Sequence, residues 1–239
     1  IFRPYHHHLM THTLEYCFIE NYMLVLSHDE VVYGKGSMIN KFVGNKLDKL
    51  GSLKTAYTMM MGHPGKKLLF MGQDFAQESE WNFKTGLDWW LCDDESHRDV
   101  MNCYRTLLHI YRDRSVLHND CGGPTTFEWI NSGDFNRNIF TFIRRNPWNY
   151  NNALVFVCNF APVERWDMGV GAPVEGVYKR IFTTYSENSP LELQTTEELC
   201  DGRKYKITFN LRPYESVIFE VPYKEETVVN KRRKRSTIK

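Results

Sequence analysis

Hydrophobic and polar positions alternate in long blocks through the first half of the chain, and the blocks predict a strand, a helix and a second strand. Residues 22–26 are almost wholly apolar and end in the polar stretch from Ser27 to Glu30. Apolar residues then recur at helical spacing over 46–61. Residues 67–72 are typical of a second short buried strand. A run apolar on both faces belongs inside a parallel sheet, so this order predicts βα units.

The pattern changes after the break at residues 119–124, which contains Asn, Asp, Gly and Pro. Before it, residues 96–113 place apolar side chains on one helical face. Beyond it, short hydrophobic segments are separated by turn residues, and they predict strands at 126–130, 139–144, 154–160, 177–184, 205–211 and 216–221. Six such segments predict an antiparallel β-sandwich. The expected fold class is therefore α/β followed by all-β, with a second domain beginning at the break.

Composition narrows the possible functions. The chain has 239 residues, of which 30 are basic and 29 acidic, so its formal net charge of +1 favours neither a nucleic-acid nor a membrane partner. A basic run at 231–235 can bind polyanions, but such tails are more often solvated, and we predict a disordered tail over 225–239. We find neither a membrane-spanning apolar run nor a signal-peptide pattern. Because the sequence starts at Ile1 rather than Met, we expect this chain to be a piece of a longer protein.

Cysteine and histidine spacing argues against disulfides and metals. The six cysteines are widely spaced and several lie in apolar runs, which is typical of reduced, buried thiols in a cytoplasmic protein. His8 and His12 are four residues apart, as in a helical metal pair, but no further ligand accompanies them at a recognisable spacing. The sequence therefore predicts no metal site and no cofactor.

His28 and Asp29 are the candidate functional residues at the end of the first strand. Parallel sheets expose their chemistry at the carboxyl ends of their strands. A carboxylate beside an imidazole there can hold sugar hydroxyls and oppose a developing positive charge. The same two residues are equally compatible with capping the following turn. Spacing alone leaves both interpretations open.

The end of the second predicted strand carries acids and aromatic residues as well. Asp74, Glu78 and Glu80 follow it, and the pair Trp89 and Trp90 comes shortly after. Two successive strand ends with such residues suggest one shared mouth, where tryptophan faces would be platforms for sugar rings. Because large aromatic residues are usually buried, core packing is the alternative for both tryptophans.

An ordered set of motifs resembles the α-amylase superfamily, in the form found in glycogen branching enzymes. The first motif is Met23 to Lys35. The others follow in the same order as in that family: Pro64 to Gln77, Glu80 to Asn82, Leu87 to Trp89, Phe127 to Trp129 and Asn159 to Val163. The resemblance covers nearly the whole chain up to about residue 222. The residues after His28 disfavour a debranching or trehalose-forming relative.

The resemblance implies cleavage of an α-1,4-glucan and transfer of the released segment to a 6-hydroxyl, by a retaining mechanism on a (β/α)8 barrel. It implies that Asp29 stabilises the oxocarbenium-like transition state and that His28 binds the same sugar. At position 74 the family often has Glu, whereas this chain has Asp. The nucleophile and the general acid/base of the family have no counterpart among these residues.

We therefore expect the C-terminal portion of such an enzyme. Residues 1–118 would be the last βα units of the barrel, residues 119–224 an antiparallel β-sandwich, and residues 225–239 the tail. The expected partners are an α-glucan and the missing N-terminal part of the same polypeptide. The alternative is a non-catalytic glucan-binding or structural module. On either hypothesis the chain alone lacks the catalytic acids, and we expect it to be inactive and poorly soluble.

Overall fold

The computed structural model describes residues 3–20, 22–119, 123–185 and 191–222. The helices are α1 (His7–Thr11), α2 (Lys46–Gly62) and α3 (Glu95–Asp113). The strands are β1 (Met23–Leu26), β2 (Lys66–Leu69), β3 (Phe127–Asn131), β4 (Ile139–Asn146), β5 (Asn149–Asn159), β6 (Arg165–Ala172), β7 (Val177–Thr183), β8 (Glu192–Gln194), β9 (Thr196–Cys200), β10 (Arg203–Leu211) and β11 (Ser216–Glu220). The predicted tail at 225–239 lies outside the described residues.

Strands β1 and β2 form a parallel pair, as the block pattern predicts. Leu26 pairs with Leu69, and the Phe70 amide continues the ladder by donating to the Leu26 carbonyl at 2.9 Å. The expected burial on both faces is wrong, because Met23 and Val25 are 52% and 49% exposed. Leu24 and Leu26 pack against the hydrophobic core, whereas the opposite face of β1 has no covering layer among the described residues.

Helix α2 is the central element of the first half. Asn45 and Asp48 cap its N-terminus reciprocally, each side chain bonding the other's backbone amide. Its middle is buried, with Leu53 and Tyr57 fully inaccessible. The predicted helix over 46–61 is confirmed to within one residue. The helix ends at Gly62, where a Cβ atom would lie 2.6 Å from the Phe142 ring, so the C-terminus rests directly on the sandwich.

Helix α3 packs beside α2 and shows the predicted one-sided pattern. Asp94 caps it by accepting a hydrogen bond from the Ser96 amide at 2.8 Å. The buried face consists of His97, Val100, Cys103, Tyr104 and Leu107. The His97 ring is fully buried and bonds the Phe75 carbonyl at 2.9 Å, which ties α3 to the turn after β2.

The second half is a sandwich of two antiparallel sheets. One has six strands in the order β3-β4-β5-β11-β7-β8, and the other has three in the order β6-β10-β9. All six predicted strands are present. β6, β8 and β9 were not predicted.

Two hydrophobic cores flank the six-stranded sheet. On β4, Phe140 and Phe142 belong to the core shared with α2 and α3, whereas Ile139 and Ile143 belong to the core between the two sheets. This is the alternation expected of a strand covered on both faces. The boundary at residue 119 stays a prediction, because the first core contains residues from both sides of it.

Arg144 joins the helical half to the sandwich from inside the first core. Its guanidinium is fully buried and donates to the Gly62 carbonyl at 2.8 Å and to the Thr126 carbonyl at 3.2 Å. Buried charge is tolerated where it is hydrogen-bonded in this way.

The cysteines that the structure describes are free thiols, and Cys17, Cys103 and Cys158 are buried. Burial raises the pKa of both Cys103 and Cys158 to about 12, so both are held as neutral thiols. Cys121 lies outside the described residues. Within the described ranges, none of the helices has the length and apolar character needed to cross a bilayer.

Candidate functional site

The candidate site begins where β1 runs into a short 3-10 turn over His28–Glu30. The Ser27 hydroxyl oxygen accepts a hydrogen bond from the Asp29 amide at 3.2 Å and so caps this turn. The same hydroxyl lies 3.3 Å from Asp29 Oδ2, to which it donates. Ser27 therefore supplies the cap, and neither His28 nor Asp29 is needed for it.

His28 and Asp29 form an open pair at the carboxyl end of β1. His28 Nε2 lies 3.2 Å from Asp29 Oδ1, and the two side chains are 52% and 65% exposed. An ion pair this exposed contributes little to stability. The arrangement leaves a carboxylate and an imidazole side by side at the surface, where both can bond the hydroxyls of a ligand.

Aromatic residues flank this pair on the side of β2. The Phe70 ring centroid lies 6.0 Å from that of His28, and the Trp81 ring packs edge-on against Phe70 at 5.2 Å. Nε2 of the Gln73 side chain donates to the Ser27 carbonyl at 3.4 Å, which links the ends of the two strands. The predicted juxtaposition of the two strand ends is thus present.

Glu80 fixes the glycine-rich loop that follows the pair. Its two carboxylate oxygens accept hydrogen bonds from the amides of Gly34 at 3.1 Å and Gly36 at 2.7 Å. These bonds lower the pKa of the Glu80 carboxyl. Between the glycines, the Lys35 ammonium donates to the Asp29 carbonyl at 2.6 Å. Glu80 therefore positions the loop that reaches Asp29, a role that the sequence analysis missed.

The loop backbone explains why glycines are needed there. Tyr33, Gly34 and Gly36 all have left-handed φ angles, of 59°, 79° and 70°. The available sequence signal was two closely spaced glycines after the polar stretch, followed later by three acids, Asp74, Glu78 and Glu80. Such glycines are typical of a loop, but no local pattern shows which acid binds it, because that acid lies more than forty residues away.

Asp74 lies on the 3-10 turn Gln73–Phe75 after β2, and the two tryptophans begin a later 3-10 turn, Trp89–Asp93. The Trp89 ring packs at 4.8 Å against the buried Phe75 ring, and both Trp89 and Trp90 are more than half exposed, so the core alternative for them is wrong. Among the described residues, no hydrogen bond or ion pair joins Asp74 to Asp29. Asp74 instead adds to burial in raising the pKa of Tyr104 to about 12.

The histidines near the N-terminus give no metal centre in the described ranges. α1 ends at Thr11, and His12 begins a separate 3-10 turn, so His8 and His12 do not share one regular α-helix. His12 faces Glu15 at 3.9 Å. No group of three or more His, Cys, Asp or Glu side chains in this part of the chain could hold a metal ion.

Comparison with known proteins identifies similar sequences along nearly the whole chain. Residues 129–222 match the family model described as alpha amylase, C-terminal all-beta domain. The chain is 42% identical over 228 residues to the 1,4-alpha-glucan branching enzyme GlgB of Butyrivibrio fibrisolvens, covering 91% of this chain and 35% of that protein. It is 40% identical over 232 residues to the enzyme of the same name from Halothermothrix orenii, covering 92% and 36%. The chain thus spans about a third of the length of these relatives.

Solved structures show a similar fold at low sequence identity. The alpha-amylase from H. orenii superimposes with a TM-score of 0.51 at 17% identity, covering 84% of this chain and 39% of that one. Pullulanase type I from Bacillus subtilis str. 168, solved with maltose, gives a TM-score of 0.59 at 12% identity, covering 83% and 27%. At these identities the matches concern the fold alone.

Proposed function

The chain belongs to the 1,4-α-glucan branching enzyme family of the α-amylase superfamily, and we propose that it forms the C-terminal part of such an enzyme. In this proposal residues 1–118 complete a catalytic (β/α)8 barrel and residues 119–224 form its C-terminal sandwich. The parallel pair β1 and β2, with α2 between them in sequence, supports the barrel assignment. The half-exposed Met23 and Val25 on β1 are suited to packing against further barrel elements.

The proposed reaction is a retaining double displacement. A nucleophilic carboxylate attacks the anomeric carbon of an α-1,4-linked glucan, a carboxylic acid protonates the leaving oxygen, and a covalent glycosyl-enzyme forms. The 6-hydroxyl of another glucan chain then attacks the anomeric carbon of the intermediate and displaces the nucleophilic carboxylate. Its proton goes to the carboxylate that had protonated the first leaving oxygen, and an α-1,6 branch results. Both catalytic carboxyl groups would come from the part of the enzyme that precedes this chain.

In this reaction Asp29 is the auxiliary carboxylate and His28 is a sugar ligand. The transition state carries positive charge on the ring, and a fixed negative group beside it lowers the barrier. The observation that carries this assignment is the exposed His28–Asp29 pair, with 3.2 Å between the two side chains, at the carboxyl end of a parallel strand. The Ser27 cap and the Lys35 contact hold the Asp29 backbone in place.

The decisive experiment is Asp29→Asn in the full-length enzyme. Because the substitution removes charge while keeping shape, we expect kcat to fall by at least about 10²-fold, the scale of losing one transition-state electrostatic group. The matched control is Asp113→Asn, since Asp113 is an exposed acid at the end of α3 that pairs only with the adjacent Arg112 among the described contacts. A change confined to KM would contradict the assigned role.

A non-catalytic glucan-binding or structural module is the alternative, and the exposed Trp89 and Trp90 favour a binding role. The two proposals differ in turnover. A full-length protein that binds glucan and makes no α-1,6 branches would support the module. We expect branching by the full-length protein and none by the isolated 239-residue chain. A cytoplasmic location is part of the proposal, and the free buried cysteines support it.

A further inference from the structure

Trp166 lies on the outer surface of the sandwich, far along the chain from the candidate site. Its side chain belongs to β6, an edge strand of the three-stranded sheet, and the residue is 67% exposed. A single exposed apolar side chain carries no meaning by itself. The backbone that presents Trp166 and the surface beside it give this residue its significance.

The backbone at Trp166 contains a β-bulge. Met168 pairs with Phe209 and Arg165 pairs with Leu211, so Trp166 and Asp167 together face the single residue Asn210. Asp167 has a left-handed φ of 50°, and its amide donates to Asn210 Oδ1 at 3.0 Å. A bulge of this kind re-aims a side chain, and non-glycine residues keep such a φ only where their surroundings hold them.

Beside the bulge is a polar cavity of about 330 Å³ between β6, β7 and β10. Its lining includes Trp166, Arg180, Tyr185, Asn210 and Arg212. This volume lies at the lower end of the range for small-ligand sites. The cavity therefore places planar polar side chains next to an exposed indole.

The cavity walls are fixed before any ligand arrives. The Arg212 guanidinium lies over the Tyr185 ring at 4.8 Å, and the Tyr185 hydroxyl donates to the Pro213 carbonyl at 2.9 Å. Glu215 is buried, and its two oxygens accept from the Thr183 hydroxyl at 2.6 Å and the Arg212 amide at 2.8 Å. Asn210 uses its amide oxygen for the bulge, so its nitrogen is the atom that can donate to a ligand.

An indole face beside guanidinium, amide and carboxylate groups suits a neutral ligand with many hydroxyls. One face of a glucose ring presents mainly C–H groups and can pack on the indole, while its hydroxyls bond the planar polar groups. The carboxylates of Glu164 and Glu215 balance the two guanidiniums in the lining, so the cavity has no net formal charge and favours a neutral ligand over a polyanion.

We propose that Trp166 and this cavity form an accessory binding site for an α-1,4-glucan chain. The choice of glucan rests on the proposed function. The site shares no residue with the pair at His28 and Asp29, so it can hold one part of a polymer while another part reacts. Such a second contact strengthens binding of a long chain through effective concentration, and it has no such effect on a ligand too short to reach both sites.

The test is affinity electrophoresis of the full-length protein in gels containing glycogen, together with kinetics on maltoheptaose. We expect Trp166→Ala to weaken glycogen binding by about tenfold, the scale of losing one aromatic stack, and Trp166→Phe to retain most of it. The kcat on maltoheptaose should stay unchanged. The control is Trp148→Ala, because Trp148 is equally exposed, at 70%, and does not line the cavity.

The outcomes separate this proposal from the proposed function. Equal glycogen affinity for wild type, Trp166→Ala and Trp148→Ala would overturn the accessory site whatever the branching activity. An equal loss in both alanine variants would also overturn it, because the cavity would then have no special role. Loss of binding confined to Trp166→Ala in a protein without branching activity would support the site and reject the branching reaction.

Discussion

Glu80 is the residue whose role is clearest from geometry alone. Two backbone amides point at one carboxylate, and such charge-assisted bonds are stronger than neutral ones. We predict that Glu80→Gln, which can accept with one oxygen only, increases amide hydrogen exchange of the 33–37 loop by about tenfold and lowers kcat through the Lys35 contact with Asp29. Exchange mass spectrometry of the full-length enzyme measures the first effect. Glu197→Gln, at an exposed pair with Lys204, is the control.

The sign of the pH effect at Glu80 follows from its lowered pKa. A carboxyl with a depressed pKa holds its bonds at neutral pH and loses them as pH falls through the lowered value. Loop protection should therefore persist below the ordinary value of 4.5 and disappear under more acidic conditions. If the loop exchanged equally fast in wild type and Glu80→Gln at neutral pH, the positioning role would be wrong.

His7 gives a second prediction at this scale. Its ring stacks on Phe140 at 4.0 Å, bonds the Ser132 carbonyl at 3.1 Å and is buried, and burial lowers its pKa. The unfolded chain then binds this proton more readily, so stability should fall as pH drops below the ordinary value of 6.5. We predict a smaller fall in melting temperature for His7→Phe between about pH 7.5 and pH 5.5. The control is His8→Phe, because His8 is exposed, and this variant should show the same change of melting temperature with pH as the wild type. An equal change in all three proteins would reject the effect.

The sequence predicted the location of His28 and Asp29 but not the contacts around them. An apolar run followed by a polar cluster identifies a strand end, and that signal is local. The sequence spacing did not show which residue caps the turn after β1. The structure assigns the cap to Ser27 through one hydrogen bond from the Asp29 amide. The Glu80 clamp depends on the return of the chain after β2, which no local pattern encodes.

Among the elements, α2 contacts both α3 and the sandwich, so we expect substitutions at these contacts to lower stability. A Cβ atom at Gly62 would lie 2.6 Å from the Phe142 ring and 2.9 Å from the Phe156 ring. We predict that Gly62→Ala lowers the free energy of unfolding by about 1 to 3 kcal/mol, the usual cost of overpacking. The measurement is the urea midpoint. Gly86→Ala, where a Cβ atom meets nothing within 4 Å, should change stability by less than about 0.5 kcal/mol.

Gly62→Ala also has a favourable contribution, since alanine is the better helix former by up to about 1 kcal/mol. A stabilised Gly62→Ala protein would mean that the two rings move aside and that the contact between α2 and the sandwich is loose. An equal loss of unfolding free energy in Gly62→Ala and Gly86→Ala would instead indicate a general effect of replacing glycine on the backbone.

Elements with long hydrophobic runs were predicted well, and those without them were missed. The predicted bounds of α2 and α3 differ from the observed ones by one residue. β6 contains two glycines, and at Gly171 a Cβ atom would lie 2.5 Å from the Cys200 carbonyl. Close packing there excludes the β-branched residues from which a strand is usually predicted. β9 is largely exposed and has no apolar face to detect. β2 ends at Leu69, earlier than predicted, and the chain passes through Gly72, with a left-handed φ of 85°, into the 3-10 turn Gln73–Phe75.

At the scale of the whole molecule, the sandwich is covered on both faces of its larger sheet while the parallel pair is not. One core lies between the sheets and the other joins the six-stranded sheet to α2 and α3. β1 lies at the margin of the core shared with α2 and α3, with Leu24 and Leu26 packed against it and Met23 and Val25 exposed. The sequence pattern of β1, apolar at every position, fits a strand with covering on both faces, and this chain supplies covering for one.

This uneven covering predicts how the isolated chain behaves in solution. An exposed apolar strand with unpaired edge groups promotes association between chains. We predict that the double substitution Met23→Thr and Val25→Thr increases the soluble fraction of the isolated chain by several-fold. In the full-length protein the same substitution should lower stability, because the proposed barrel would bury both positions. Sedimentation after expression and thermal unfolding measure the two effects. Leu199→Thr, at an apolar residue exposed on β9, is the control and should change neither. Better stability of the full-length double variant would mean that nothing packs on β1, and the barrel assignment would be wrong.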